Sequence, residues 1–296
     1  MQQYKASKWA EEIISMQTEE GSWGYFHTLS NPVSRRSMTT EQALRRLQVL
    51  GYTIDDPPVR RAVEYLHACL EGKKQIPDRR EKLHDWDIFT ALMFSTWIRR
   101  FTAGDILANN TAAKWAEVIS CAFTGGAYEY DSYARAYRRI FGLVPRGGRI
   151  VDFVTFYQVS IIAGMLDKGI EPAMFDYILE HTSGIYYIYE GRLSMLPEGF
   201  KSKQAGRYLG AIELLSEYKN PACRRRLSFV AEWIKRNKEP YGLWDMGPAV
   251  KDGVHFPLSD SWRSIESREL DCTYRIKKLL ADIEMHDRTL SIPGTD

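Results

Sequence analysis

Very little in this sequence marks a secreted, membrane-spanning or nucleic-acid-binding protein. There are only four cysteines in 296 residues, Cys69, Cys121, Cys223 and Cys272, scattered and without a Cys-x-x-Cys pair. Buried free thiols in a reducing compartment are expected, rather than a disulfide framework. No uninterrupted apolar stretch approaches the ~20 residues of a membrane-spanning helix. The N-terminus "MQQYKASKWAEEIISMQ" is patterned as an amphipathic helix, without the continuous apolar segment of a signal peptide. The expected location is the cytoplasm, with peripheral contact at a membrane surface left open. An excess of one charge is also missing. Forty basic residues stand against 38 acidic ones, net +2, which gives no electrostatic reason to expect nucleic acid. The basic run "RRR" at 224–226 falls on a helix-like segment and reads as a solvated face. Phosphate-loop, G-x-G-x-x-G, G-x-S-x-G and H-E-x-x-H patterns are all absent, so phosphate-loop, dinucleotide and zinc-protease chemistry have no support.

Alternating strand patterns are scarce as well. "GIYYIYEGRL" at 184–193 is the one stretch that fits a short hairpin. What fills the chain is helical periodicity. In "TTEQALRRLQVLGY", 39–52, Thr39 and Gln42 have the spacing of a capping box. Ala43, Leu44, Leu47 and Leu50 form one apolar face, and Gly51 is the stop. The next helix opens with Asp56 as cap and Pro57 at the first helical position. Further helices are expected at 85–102, 110–123, 130–141, 150–168, 171–182, 202–217, 221–237 and 266–285. The fold class is therefore all-α, about a dozen helices joined by short turns. No Gly/Ser/Pro-rich linker divides the chain, so one domain spanning 1–296 is expected.

A repeat runs through these helices. "QTEEGSWG" at 17–24 and "NKEPYGLWDMG" at 237–247 both place Gly two residues before Trp. "GAY" at 126–128 and "GIY" at 184–186 share the pattern, and "GKK" at 72–74 fills the remaining gap without its aromatic. The glycines fall at 21, 72, 126, 184 and 242, with two helices per interval. Near-even spacing argues for helical hairpins. Their length and irregular loops favour a closed α/α toroid over an open solenoid.

"QTEEGSW" fits the Q-x(2–5)-G-x-W core called the QW motif, and "NKEPYGLW" is a degraded copy with Asn237 in place of Gln. With two helices per repeat, the chain resembles the terpenoid cyclase and protein prenyltransferase superfamily, whose members are α/α toroids. In that family the motif is structural: the Gln caps a helix end and the Trp packs on the next turn. The resemblance implies an apolar ligand, of isoprenoid class, in a central cavity. Triterpene cyclases start their reaction with a D-x-D-D motif. Here "HDWDIF" at 84–89 supplies Asp85 and Asp87, but Ile88 stands in the last acid's place. On a helix those two acids lie about 200° apart, and a helix N-terminus favours acidic residues in any case. The zinc of protein prenyltransferases is held by Asp, Cys and His. Asp271 and Cys272, with His255 and His286, lack ligand spacing, so no metal and no cofactor are expected.

The densest polar segment is 242–275, with Trp244, Asp245, Asp252, His255, Asp260, Trp262, Arg263 and Arg268. As a cavity wall it would let Arg263 or Arg268 grip an anionic headgroup such as diphosphate. As a closing loop it would pair those arginines with Asp260 or Asp271. Tyr186 and Tyr187 pose the same choice, between a cation-stabilising pocket and simple packing. Two rival readings stand beside the cyclase-like one. An α/α-barrel carbohydrate-active enzyme would use paired carboxylates from Asp85, Asp245, Asp252 and Asp260. A non-catalytic scaffold would present one face to a protein partner.

Overall fold

The structure, a computed structural model, describes residues 4–27, 38–80, 85–146 and 152–284. These form α1 (Lys8–Ser15), α2 (Thr40–Val49), α3 (Pro57–Leu70), α4 (Trp86–Phe101), α5 (Ile106–Ala122), α6 (Tyr130–Phe141), α7 (Phe156–Ile161), α8 (Glu171–Glu180), α9 (Lys203–Leu215), α10 (Pro221–Arg225), α11 (Ser228–Arg236) and α12 (Ile265–Glu284). The fold is all-α, as the periodicity predicts. Among the described residues β-pairing is limited to two isolated bridges, Thr155 with Tyr186 and Ile185 with Tyr189. No described helix is long and apolar enough to cross a membrane.

The chain groups into two compact units. The first holds α1 to α4, α5 through Trp115, and the late segment Asp252–Ser261. Within it α1 packs on α2, α2 on α3, and α3 on α4. Trp23, Phe26, Leu44, Leu47, Leu66 and Trp97 are completely buried there, each contributing about 1.5–3 kcal/mol or more. The capping box of α2 is present, with Thr39 accepting from the Gln42 amide and Gln42 from that of Thr39. Gly51 ends α2 with φ 94°, and Tyr52 N donates back to Leu47 O at 3.0 Å. That closes the helix with a left-handed glycine. Asp56, expected as a cap, does not cap α3. Pro57 and Pro58 remove two of the first-turn N–H groups a cap would accept. Its carboxylate takes the Lys5 ammonium at 2.7 and 2.8 Å and the Thr53 N–H at 2.7 Å instead.

Asp252–Ser261 straps the first hairpin of that unit. Asp260 Oδ1 accepts from the Lys8 N–H at the start of α1, 2.9 Å away. Ser259 O accepts from the Trp9 indole at 2.9 Å. On α2, Arg46 donates to Val254 O at 2.8 Å and also to Pro257 O. Phe256 and Leu258 of the strap are buried.

The second unit holds α5 from Ala116 and α6 to α12. There α8 packs on α10, α10 and α11 on α12, and α7 on α9. Two expected helices are altered. Of 150–168 only α7 is helical among the described residues, because the chain before it is drawn into the bridge to Tyr186. Tyr186 N donates to Val154 O and Phe156 N to Tyr186 O, each at 3.0 Å. The expected helix 221–237 breaks between α10 and α11, where Arg226 N and Leu227 N make tight bonds three residues back. The stretch 184–193 is a wound loop, not a strand pair.

The five glycines behave as one device. Gly21, Gly72, Gly126, Gly184 and Gly242 all have positive φ. Each donates its N–H to the carbonyl three residues earlier: Thr18, Cys69, Phe123, His181 and Glu239. They follow α1, α3, α5, α8 and α11, so each closes the first helix of a hairpin. The two Gly-x-Trp copies share the bonds that fix the glycine turn and the Trp. Thr18 N donates to Ser22 O and Glu239 N to Leu243 O, both at 2.8 Å. The Trp23 indole donates to Ile13 O at 2.7 Å and the Trp244 indole to Ile234 O at 2.8 Å. Their backbone N–H groups donate to Thr40 and Thr273 hydroxyls, both at 2.9 Å. This register sets Lys238, not Asn237, opposite Gln17. Gln17 Nε2 donates to Gly21 O and Pro58 O, whereas Lys238 lays its ammonium over the Trp244 ring.

Candidate functional site

The structure divides the polar segment 242–275 between its two units. In the first unit, Asp252 is a turn anchor. Its Oδ1 accepts from the N–H groups of Val254, His255 and Phe256, and its Oδ2 lies 2.8 Å from His255 Nδ1. Burial works to raise the Asp252 pKa, yet His255 and those N–H groups hold it well below the usual carboxylate range. Asp260 is spent on the start of α1. Asp85 precedes α4 and makes no cap, and its Oδ2 is buried without a hydrogen-bond partner among the described residues. Asp87, in the first turn, is 85% exposed and 3.4 Å from Arg80.

In the second unit, Trp244 is buried as hairpin packing. Arg268 grips Asp245 through two bonds of 2.7 and 2.8 Å, and Lys201 adds its charge at 3.5 Å. The Arg268 guanidinium holds the Asp245 carboxyl down to a pKa of about 2. Asp271 takes the Trp262 indole N–H at 2.7 Å. For Arg268 the partner is therefore Asp245 rather than Asp260 or Asp271, and Arg263 is an exposed loop residue. Among the described residues no three His, Cys, Asp or Glu side chains gather as metal ligands, and His286 lies outside those residues.

What the second unit does gather is a group that sequence spacing does not single out. Asp152 lies just before α7, Tyr177 and His181 stand one turn apart at the end of α8, and Tyr128 follows Gly126. Spacing of four residues puts Tyr177 and His181 on one helix face. Asp152 Oδ2 lies 2.8 Å from His181 Nε2 and accepts from the Tyr177 hydroxyl at 3.1 Å. Asp152 Oδ1 accepts from Val154 N at 3.0 Å. His181 Nδ1 lies 3.0 Å from Gly184 O. Both ring nitrogens therefore face acceptors, a carbonyl and a carboxylate. Only the doubly protonated imidazolium satisfies both. The hydrogen bond to Asp152 raises the His181 pKa accordingly. Burial pushes Asp152 the other way, but His181 and Val154 bring its pKa below the ordinary value.

Aromatic rings gather beside this pair, around Tyr177, whose ring meets His181 edge-on at 5.7 Å. Tyr128 stacks on Tyr177 at 4.5 Å between centroids, and Phe153 stacks on Tyr177 at 5.8 Å. Phe123 meets Tyr128, Phe153 and Tyr177 at 5.7 to 5.9 Å. Tyr133 closes on Tyr128 at 6.2 Å. The Tyr128 hydroxyl is buried and has no hydrogen-bond partner among the described residues. Burial, then the charge of Asp152, raises its pKa, so it stays a neutral donor. The arrangement offers aromatic faces, an ion pair and one unused hydroxyl in a single place.

Tyr186 and Tyr187 stand beside this group rather than in it. The Tyr186 backbone pins the strand-like segment that carries Asp152 and Phe153, through Val154 and Phe156. Tyr187 has φ 74°, the one positive value outside glycine among the described residues, and meets Tyr157 edge-on at 5.5 Å. Such strain persists only where surrounding contacts enforce it. The sequence signal for the site is "GAY" at 126–128, which is also a mark of the repeat. Nothing in sequence joins Asp152 to His181. Compared with family models, with curated proteins and with solved structures, the chain gives no match.

Proposed function

We propose that this chain is a terpenoid-cyclase-like ring of helical hairpins that binds an apolar ligand of isoprenoid class at the aromatic group around Asp152 and His181. The observation that carries the reading is the unpartnered Tyr128 hydroxyl, buried among aromatic rings beside an ion pair. A buried donor left without an acceptor is costly. An alcohol or carbonyl oxygen at the end of an apolar ligand would satisfy it, while the ligand's body lies on the ring faces. Positive charge developing along such a ligand would be held by those faces and by the Asp152 carboxylate. An imidazolium is too weak an acid to protonate an alkene, so His181 serves to hold Asp152 ionised and oriented. Two features support the closed toroid: the hairpin punctuation by five glycines, and the strap 252–261, which returns from late in the chain to α1 and α2.

A carbohydrate-active reading has less support. It needs carboxylates free to act as acid and base, and Asp245, Asp252 and Asp260 are each engaged by an arginine, a turn or a helix start. The test is binding of farnesol to the full chain, followed by native mass spectrometry and tyrosine fluorescence. One equivalent should bind, and Tyr128→Phe and Asp152→Asn should each weaken it about tenfold. Equal affinity in all three proteins, or no binding to the wild type, would refute the assignment.

A further inference from the structure

A second site lies on α10, α11 and α12, apart from the aromatic group. These helices wall a cavity of about 490 Å³, within the size range of small-molecule sites. Its lining includes Arg224, Arg225, Ser228 and Lys235, with Glu232 and Glu284. Lys235 pairs with Glu284 at 2.5 Å. Arg226, next in sequence, is taken by Asp176. Arg224 is different. It is only 8% exposed, its Nε is buried without a hydrogen-bond partner, and it has no ion pair among the described residues. A buried guanidinium is expensive unless a counter-charge meets it. The start of α11 lies at the same cavity, at Ser228, and its N-cap Leu227 supplies no side-chain cap. Val230 N is already bonded to Leu227 O, so it is the N–H groups ahead of it, with the helix dipole, that favour an anion there.

We infer that this cavity binds a small organic phosphate, its phosphoryl group held between Arg224 and the start of α11, with Arg225 adding charge. Guanidinium geometry suits a phosphate's paired oxygens. Glu232 then faces the remainder of the ligand and selects a body bearing an amine or hydroxyls. The site is independent of the isoprenoid reading, and either can fail alone.

The probes are inorganic phosphate and phosphoethanolamine, with ethanolamine as the control that lacks the phosphoryl group, added to the full chain at constant ionic strength. Calorimetric titration should show both phosphates binding, phosphoethanolamine more tightly, and ethanolamine not at all. Arg224→Gln should weaken phosphate at least about tenfold. Ser228→Asp provides a second readout that does not depend on losing a buried residue. Its carboxylate supplies the counter-charge from within, so the variant should melt higher than the wild type without phosphate and gain nothing on phosphate addition. A wild type that responds to phosphate no more than to chloride would overturn the inference. So would a Ser228→Asp variant that responds as the wild type does.

Discussion

Replacing Gly21 and Gly242 by alanine, separately, tests whether the doubled Gly-x-Trp phrase is one device used under two packing conditions. The backbones are alike, with φ 99° and 96°. Placing a Cβ in that left-handed region costs about 1–2 kcal/mol at either position. The surroundings differ. A Cβ on Gly21 would stand 2.3 Å from Arg61 O and 2.7 Å from Arg61 C, backbone atoms of α3 that cannot swing aside. On Gly242 the nearest such atom is the flexible Lys238 Cε, at 3.9 Å. Overpacking against a fixed backbone adds about 1–3 kcal/mol. Gly21→Ala should therefore lose about 2–5 kcal/mol, and Gly242→Ala only the backbone part, about 1–2 kcal/mol. Urea unfolding followed by circular dichroism measures both. Gly21 belongs to the first unit and Gly242 to the second, so separate transitions would each report their own variant. Equal losses would mean that the approach of Gly21 to α3 carries no energy, and the packing account would be wrong.

The other predictions concern charge and hydroxyl groups. Asp245→Asn strands Arg268 and should cost about 2–4 kcal/mol at neutral pH. Because the folded Asp245 pKa is depressed to about 2 from 3.8, its contribution is full above the unfolded value and is lost as pH falls towards 2. An acid titration of thermal stability should show this step in the wild type and not in the variant. His181 shifts the opposite way. Its folded pKa lies above 6.5, so its contribution is full below that value and fades as pH rises through the folded one. Proton NMR should place the His181 titration above 6.5, and Asp152→Asn should lower it. Tyr128→Phe removes a buried unpaired hydroxyl and should stabilise the ligand-free protein by about 1 kcal/mol, read as a higher melting temperature.

Local rules were legible where the chain announces its own ends. The expected and observed bounds of α6 agree, 130–141, because a spaced tyrosine stripe ends in Gly142 at φ 76°. Pro57 placed the start of α3, and Thr39 with Gln42 placed that of α2. Legibility ended where a distant segment competes for the backbone. Residues 152–155 look helical alone, but Tyr186 claims their hydrogen bonds. Asp85 and Asp87 stand out by their pattern, while Asp152, which meets His181 beside the aromatic rings, sits in no pattern at all. Its partner is 29 positions away, at the cap of α8. Contacts of that kind depend on how hairpins pack, which local spacing does not encode. Asp245 shows the same limit: both it and Arg268 are visible as candidates, but their pairing is not.

The strap has a consequence for the newly made chain. Arg46 and Trp9 find their acceptors on residues 254–259, some 200 to 250 positions later. At 5–20 residues per second, a ribosome needs roughly 10–40 s to travel from α2 to the strap. Throughout that interval the first hairpin waits with Arg46 and the Trp9 indole lacking their final partners. Early hairpins of this protein are thus provisional during synthesis, and a chain interrupted before residue 252 leaves its own beginning unfinished.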